Sequence, residues 1–162
     1  MKKWITGALL VAWMVVIFLF SAQDSTDSSA ASQSVSYQVA SFQNRVFGLD
    51  KTEEQLMSQA ESMQLIIRKG AHISEYALLA VLFWLHLDCY PLGKKRVFWL
   101  ALCLTACYAA SDELHQLFVP GRACRLADVC IDTAGGLLGI LIASCFCQFW
   151  ERKAARADEI PY

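Results

Sequence analysis

Four long apolar runs decide what this chain can fold into: Trp4–Phe20, Gly70–Leu87, Val97–Leu117 and Val129–Trp150. A helix needs roughly 20 such residues to cross the hydrocarbon core of a bilayer, and the first run, with 17, lies at the short end. The expected fold is therefore all-α: an integral membrane four-helix bundle, formed by residues 1–162 as a single domain. Composition agrees, since 56% of the 162 residues are hydrophobic and 18% are charged, against about 25% charged in soluble domains. A net charge of −1 with no basic tail gives no support to a nucleic-acid partner.

Lys2 and Lys3 precede the first run. A cleaved signal peptide would require small residues at a cleavage site, but cleavage after Ala22 puts Phe20 where a small residue belongs, and Ser28-Ser29-Ala30 lies too far downstream. An uncleaved anchor is expected. Residues 21–69 then form a polar connector with two helical stripes. Val35, Val39, Phe42, Val46 and Leu49 recur at steps of four and three, and Gly48 to Lys51 reads as a break. Thr52-Glu-Glu-Gln55 is a capping-box pattern opening a helix with Leu56, Ala60, Met63 and Ile67 on one side. These stripes are expected to pack the connector on its own bundle, with the membrane surface as the competing site.

Orientation follows from Lys and Arg in the short flanks. With both termini inside, the cytoplasmic segments hold Lys2, Lys3, Lys94, Lys95, Arg96, Arg152, Lys153 and Arg156, eight of the fourteen basic residues. The connector is then extracytoplasmic. Arg68, Lys69, Arg122 and Arg125 are left against the outer membrane ends, where the charge bias alone does not explain them.

With this topology three polar clusters fall at one outer level. The second membrane helix enters with Arg68, Lys69, His72, Glu75 and Tyr76, which fit a single face at about 100° per residue. The third leaves with Tyr108, Asp112, His115 and Gln116 on one face and Glu113 about a quarter-turn away. The fourth enters with Asp128 and Asp132. Gly135, Gly139 and Ala143 continue that face with the small-residue spacing that lets membrane helices approach closely. Any one of these residues reads singly as a cap (Asp128 above all), a surface pair or a snorkelling group. Their coincidence on three helices points to a shared pocket, since charged groups at a membrane-helix end need partners or a wet cavity.

The seven cysteines show no zinc-ribbon spacing. Cys103, Cys107, Cys145 and Cys147 read as small apolar residues inside the runs. Cys124 and Cys130 would pair only if their loop faced an oxidising space.

The blocks Arg68-Lys69-Gly-Ala-His72-Ile-Ser-Glu75-Tyr76, Ser111-Asp112-Glu113-Leu-His115-Gln116, Pro120-Gly121-Arg122 and Asp128-xxx-Asp132-xx-Gly135-xxx-Gly139 together resemble the VanZ-like family of bacterial membrane proteins. Phe20-Ser21-Ala22-Gln23 resembles its pattern too, and Asp132 stands where an Asn would be equally familiar. The resemblance covers nearly the whole chain. It implies a four-helix domain in the bacterial cytoplasmic membrane and a link to teicoplanin susceptibility, the property of the family's namesake. It implies no settled biochemical activity.

Three chemistries fit the pocket. The leading one is a binding or envelope-modulating role. Arg68, Lys69, Arg122 and Arg125 would contact anionic groups of a lipid-linked wall precursor or phospholipid, with Tyr76, Gln116, Asp128 and Asp132 shaping the ligand site. The alternative is a membrane-embedded hydrolase or transferase acting on a lipid-linked phosphate. His72, Glu75, Glu113, His115 and Asp128 would then ligate a divalent cation, or His72 or His115 would act as general base beside a carboxylate such as Asp112. No His-Glu-x-x-His motif, Gly-rich phosphate loop or nucleophile elbow accompanies them. Ion- or proton-coupled transport ranks last, because the charges gather at one face instead of crossing the bilayer.

Overall fold

The computed structural model describes residues 1–158 and forms five helices: α1 (Lys2–Ser21), α2 (Ser25–Phe47), α3 (Glu53–Leu87), α4 (Lys94–Gln116) and α5 (Leu126–Asp158). There is no strand among the described residues. From position 151 onward only the side chain of Lys153 is described, so Arg152 and Arg156, counted above for orientation, and the tail 159–162 lie outside the described residues.

Helices α1, α3, α4 and α5 are each long and apolar enough to cross a membrane. Only 17–33% of the residues in their most apolar stretches are buried. The outward faces carry residues such as Trp4, Ile142 and Phe146 at 75%, 70% and 62% exposure. Apolar surface on this scale is covered by lipid in a stable protein. The chain is a multi-pass membrane protein.

Small residues set the packing among these four helices. Gly135 and Gly139 seat α5 directly on the α3 backbone at Ile73 and Ala77, and this is the largest helix–helix interface. Gly136 faces the Thr105 methyl of α4. Helix α1 is pinned by two side chains that donate to backbone carbonyls across an interface. The Trp13 indole reaches Glu75 of α3 at 3.0 Å, and the Tyr108 hydroxyl of α4 reaches Met14 at 2.6 Å. Tyr76, Leu79, Ala80, Ile17 and Ile140 fill the centre.

The connector departs from expectation in two respects. First, α3 is one continuous helix of 35 residues, about 52 Å long at 1.5 Å per residue, where the sequence predicted a membrane run starting separately at Gly70. Gly70 is an ordinary helical position with nothing within 4 Å of where a Cβ would lie. A single glycine costs a helix only about 1 kcal/mol, too little to break one that is packed on both sides of it. Since the hydrocarbon core is about 30 Å thick, the first turns of α3 project beyond a membrane span, and α2 runs antiparallel beside them.

Second, α2 packs on α3 through its smallest side chains. Ser36 and Ala40 are fully buried against Leu56 (7% exposed) and Ala60 (0%). The Val35, Phe42, Val46 and Leu49 stripe is left 47–67% exposed, with Val39 half-buried. Helix separation is set by the side chains at the contact, and Ser and Ala permit an approach that Val and Phe would prevent. Polar side chains then stitch the pair: Gln59 donates to Gln43 at 2.8 Å, Lys51 to Gln59 at 2.7 Å and Gln64 to the Ser29 carbonyl at 2.9 Å.

The ends of this hairpin follow the predicted signals. Gly48 caps α2 in the left-handed region (φ 57°). The Thr52 hydroxyl accepts the Gln55 backbone N–H while the Gln55 side-chain Oε1 accepts the Thr52 backbone N–H, completing the capping box. Cys124 and Cys130 are both free.

Candidate functional site

The membrane ends of α1, α3, α4 and α5 that carry the polar clusters meet at one end of the molecule, and a cavity of about 340 Å³ opens there. Ile17, Phe20, Ser21 and Gln23 line it from the end of α1. Ile67, Arg68, Ala71, His72 and Glu75 line it from α3, Asp112 from α4, and Arg122 from the loop after α4. Ser28, Ala31, Ser32 and Val35 of α2 complete the wall. Of the fifteen lining residues six are aliphatic or aromatic, five are ionisable and four are uncharged and polar.

Each wall has a local cause. Asp24 caps α2, its carboxylate accepting the backbone N–H groups of Thr26 and Asp27 at 2.9 Å and the Thr26 hydroxyl at 2.6 Å. These bonds hold the Asp24 carboxyl below its ordinary pKa, the Thr26 hydroxyl contributing most. The start of α2 then rests on the Pro120-Gly121 turn, where the Ser25 N–H donates to the Pro120 carbonyl at 3.3 Å. Gly121 adopts φ 72°, and a Cβ there would collide with the Ser25 hydroxyl, so this turn requires glycine twice over. It delivers Arg122 to the cavity. Burial pushes the Arg122 guanidinium below its ordinary pKa, with repulsion from Arg68 acting in the same direction.

Five of the predicted residues come together on the cavity wall: Arg68, His72, Glu75, Asp112 and Arg122. The Nδ1 atom of His72 lies 3.9 Å from Asp132 and 4.0 Å from Glu75. Asp112 faces them from α4 on the same wall, its carboxylate accepting the Gln116 amide N–H at 3.3 Å. Tyr76 is fully buried directly behind it. Among the described residues, no carboxylate approaches Arg68 or Arg122 within 4.0 Å.

The remaining predicted residues have other employment. Lys69 pairs with Asp128 across the α3–α5 contact. Asp128 therefore sits in the first turn of α5 instead of capping it, and binds a cation there. Glu113, 2% exposed, accepts the backbone N–H of Arg125 at 2.8 Å and ties the α4–α5 loop to α4; the Arg125 side chain is exposed. Gln116 donates to Ser21 at 3.2 Å and to Asp112 at 3.3 Å, joining α1 to α4 beneath the cavity. His115 turns away, its ring packed on Phe18 of α1 with centroids 4.6 Å apart.

The metal set expected from His72, Glu75, Glu113, His115 and Asp128 does not assemble. No three His, Cys, Asp or Glu side chains among the described residues are grouped to hold an ion. His115 and Glu113 are one turn or less from Asp112 in sequence, but their directions lead to α1 and to the loop. Sequence reasoning also missed the α2 contribution. The spacing of Ser28, Ala31, Ser32 and Val35 is one helical face, a signal hidden by its small polar members.

Residues 6–148 match the sequence model of the VanZ/LLP1 family. No curated protein and no solved structure matches the chain. The matched region takes in the four membrane-crossing helices as far as Gln148, the α2–α3 hairpin and every residue of the cavity wall, and the chain belongs to the VanZ/LLP1 family.

Proposed function

We propose that this protein binds a phosphate-bearing component of the cell envelope in the cavity between α1, α2 and α3. The observation that carries the reading is the pair Arg68 and Arg122, facing one cavity with no carboxylate among the described residues within 4.0 Å of either. A half-buried guanidinium loses hydration and is stabilised by an anion that accepts its forked donors, and phosphate matches that fork. The large apolar side chains of the lining, Ile17, Phe20, Val35 and Ile67, suit a lipid, so a phospholipid or lipid-linked wall precursor is the occupant. The protein spans the bacterial cytoplasmic membrane as a four-helix bundle with both termini inside, and the cavity faces outward. This orientation puts the Lys94, Lys95 and Arg96 cluster on the cytoplasmic side and gives Arg68 and Arg122 a ligand-binding reason to lie outside. Sequestering or presenting such a component is the route by which teicoplanin susceptibility would change.

The test is native mass spectrometry of purified protein with a phospholipid and with phosphate-free diacylglycerol. Wild type is expected to retain the phospholipid selectively and Arg122→Gln to lose that selectivity. Equal retention of both lipids by wild type overturns the reading.

The second reading, a metal-free hydrolase or transferase on a lipid-linked phosphate, draws on His72 between Glu75 and Asp132. Both carboxylates lie within ion-pair reach of the ring but beyond hydrogen-bond distance, so substrate binding would have to draw one of them in to orient the base. Time-dependent release of phosphate from a polyprenyl diphosphate, lost in His72→Ala, would establish it.

A further inference from the structure

The cavity holds as much acid as base. Its ionisable lining is Arg68, Arg122, Glu75, Asp112 and His72, so two basic side chains share the space with two acidic ones. These charges do not cancel by direct contact. Among the described residues neither arginine has a carboxylate within 4.0 Å, the Glu75 carboxylate lies 4.0 Å from His72, and Asp112 accepts from Gln116 at 3.3 Å. Opposite charges in a poorly hydrated site attract strongly, and side chains as long as arginine would close on the acids if nothing else held them. Here Asp112 is held in place by Gln116, which is itself bonded to Ser21, and the backbone that carries Arg122 is fixed by the Pro120-Gly121 turn. A purely anionic headgroup would satisfy the arginines and leave Glu75 and Asp112 facing a like charge, which costs free energy in a confined site. A headgroup with both charges satisfies all four.

We propose that the occupant is a zwitterionic amphiphile, its headgroup joining a phosphate held by Arg68 and Arg122 to an ammonium held by Glu75 and Asp112. The chain of the amphiphile lies along Ile17, Phe20 and Val35. This rests on the phosphate-binding reading above and narrows it to one class of headgroup. An ammonium with N–H donors fits carboxylate acceptors better than a trimethylated one, so phosphoethanolamine chemistry is favoured over phosphocholine.

The experiment uses the full chain in detergent and native mass spectrometry, with dioleoyl phosphatidylethanolamine, dioleoyl phosphatidylglycerol and soluble phosphoethanolamine as probes. Wild type is expected to bind phosphatidylethanolamine about tenfold more tightly than phosphatidylglycerol, the scale of one charge-assisted hydrogen bond. Glu75→Gln should bring that ratio to about one without abolishing binding. Weaker retention of soluble phosphoethanolamine identifies a lipid, while equal retention identifies a free headgroup and overturns the amphiphile. Phosphatidylglycerol bound as tightly as phosphatidylethanolamine, or a ratio unmoved by Glu75→Gln, overturns the zwitterion and leaves phosphate binding standing. Loss of all three probes in wild type overturns both. Among the described residues the Glu75 side chain bonds no backbone group, so the variant is expected to fold; should its melting curve show otherwise, Asp112→Asn replaces it with the same expected ratio.

Discussion

Replacing Gly135 with Ala tests whether backbone contact between α3 and α5 sets the geometry of the site. A Cβ built on Gly135 would lie 2.7 Å from the Ile73 carbonyl oxygen, 2.9 Å from its Cα and 3.2 Å from its carbonyl carbon. An ordinary C···O contact begins near 3.3 Å, so α5 has to retreat by about 0.6 Å. All three atoms belong to the backbone of a hydrogen-bonded helix, so no side-chain rotation offers relief. Overpacking of this kind costs about 1–3 kcal/mol, with the upper part of that range applying against rigid backbone, and the better helix propensity of Ala offsets about 1 kcal/mol, leaving a net loss of up to about 2 kcal/mol. Gly70→Ala is the matched control. It sits in the same protein, on the helix that Gly135 contacts, with nothing within 4 Å of the new methyl, and should gain about 0.5–1 kcal/mol. Unfolding of both variants in detergent, followed by tryptophan fluorescence, should therefore shift in opposite directions. Since α5 also carries Asp128 and Asp132, Gly135→Ala should loosen the Lys69–Asp128 pair as well. Gly135→Ala unfolding at or above the wild-type midpoint would refute the argument that α5 rests on the α3 backbone.

Three further outcomes follow from side chains around the cavity. Glu113→Ala leaves the Arg125 N–H without its acceptor and should destabilise the protein by about 1–3 kcal/mol, with faster hydrogen exchange confined to residues 117–125. His115→Ala should leave phospholipid retention within error of wild type, because the ring rests on Phe18 and not on the cavity wall; a loss of retention would place His115 in the site. For Asp24 the folded pKa lies below the ordinary 3.8, so its capping bonds are fully present above pH 3.8 and fade as pH falls through the lower folded value. Exchange of the Thr26 and Asp27 amides should accelerate over that acid window in wild type and stay flat in Asp24→Asn, which caps without titrating.

The membrane-crossing segments were legible because their signal is local: a run of apolar residues has no other stable home than lipid. Both ends of the connector hairpin were equally legible, since Gly48 and the Thr52–Gln55 capping box act on their own backbone. Periodicity also gave the correct faces for Arg68, His72, Glu75 and Asp112, and the small-residue spacing of Gly135 and Gly139 marked a close helix contact. A face, however, is only a direction. Asp112, Glu113 and His115 occupy four consecutive positions with Leu114, and they point respectively into the cavity, to the loop backbone and to α1. The sequence carried no information on which neighbour stood in each direction.

What the amino-acid order determined by itself is a helical membrane protein with charged groups gathered at one end, since hydrophobicity and helical period act within a segment. What only the tertiary structure decided is which charges share a space. Lys69 and Asp128 are consumed by each other, Phe42 and Val46 are left outside so that Ser36 and Ala40 can bring α2 close, and Arg68 and Arg122 are left facing an open cavity. Those outcomes depend on how far apart the helices settle and how they are rotated, which the smallest side chains at each contact set jointly.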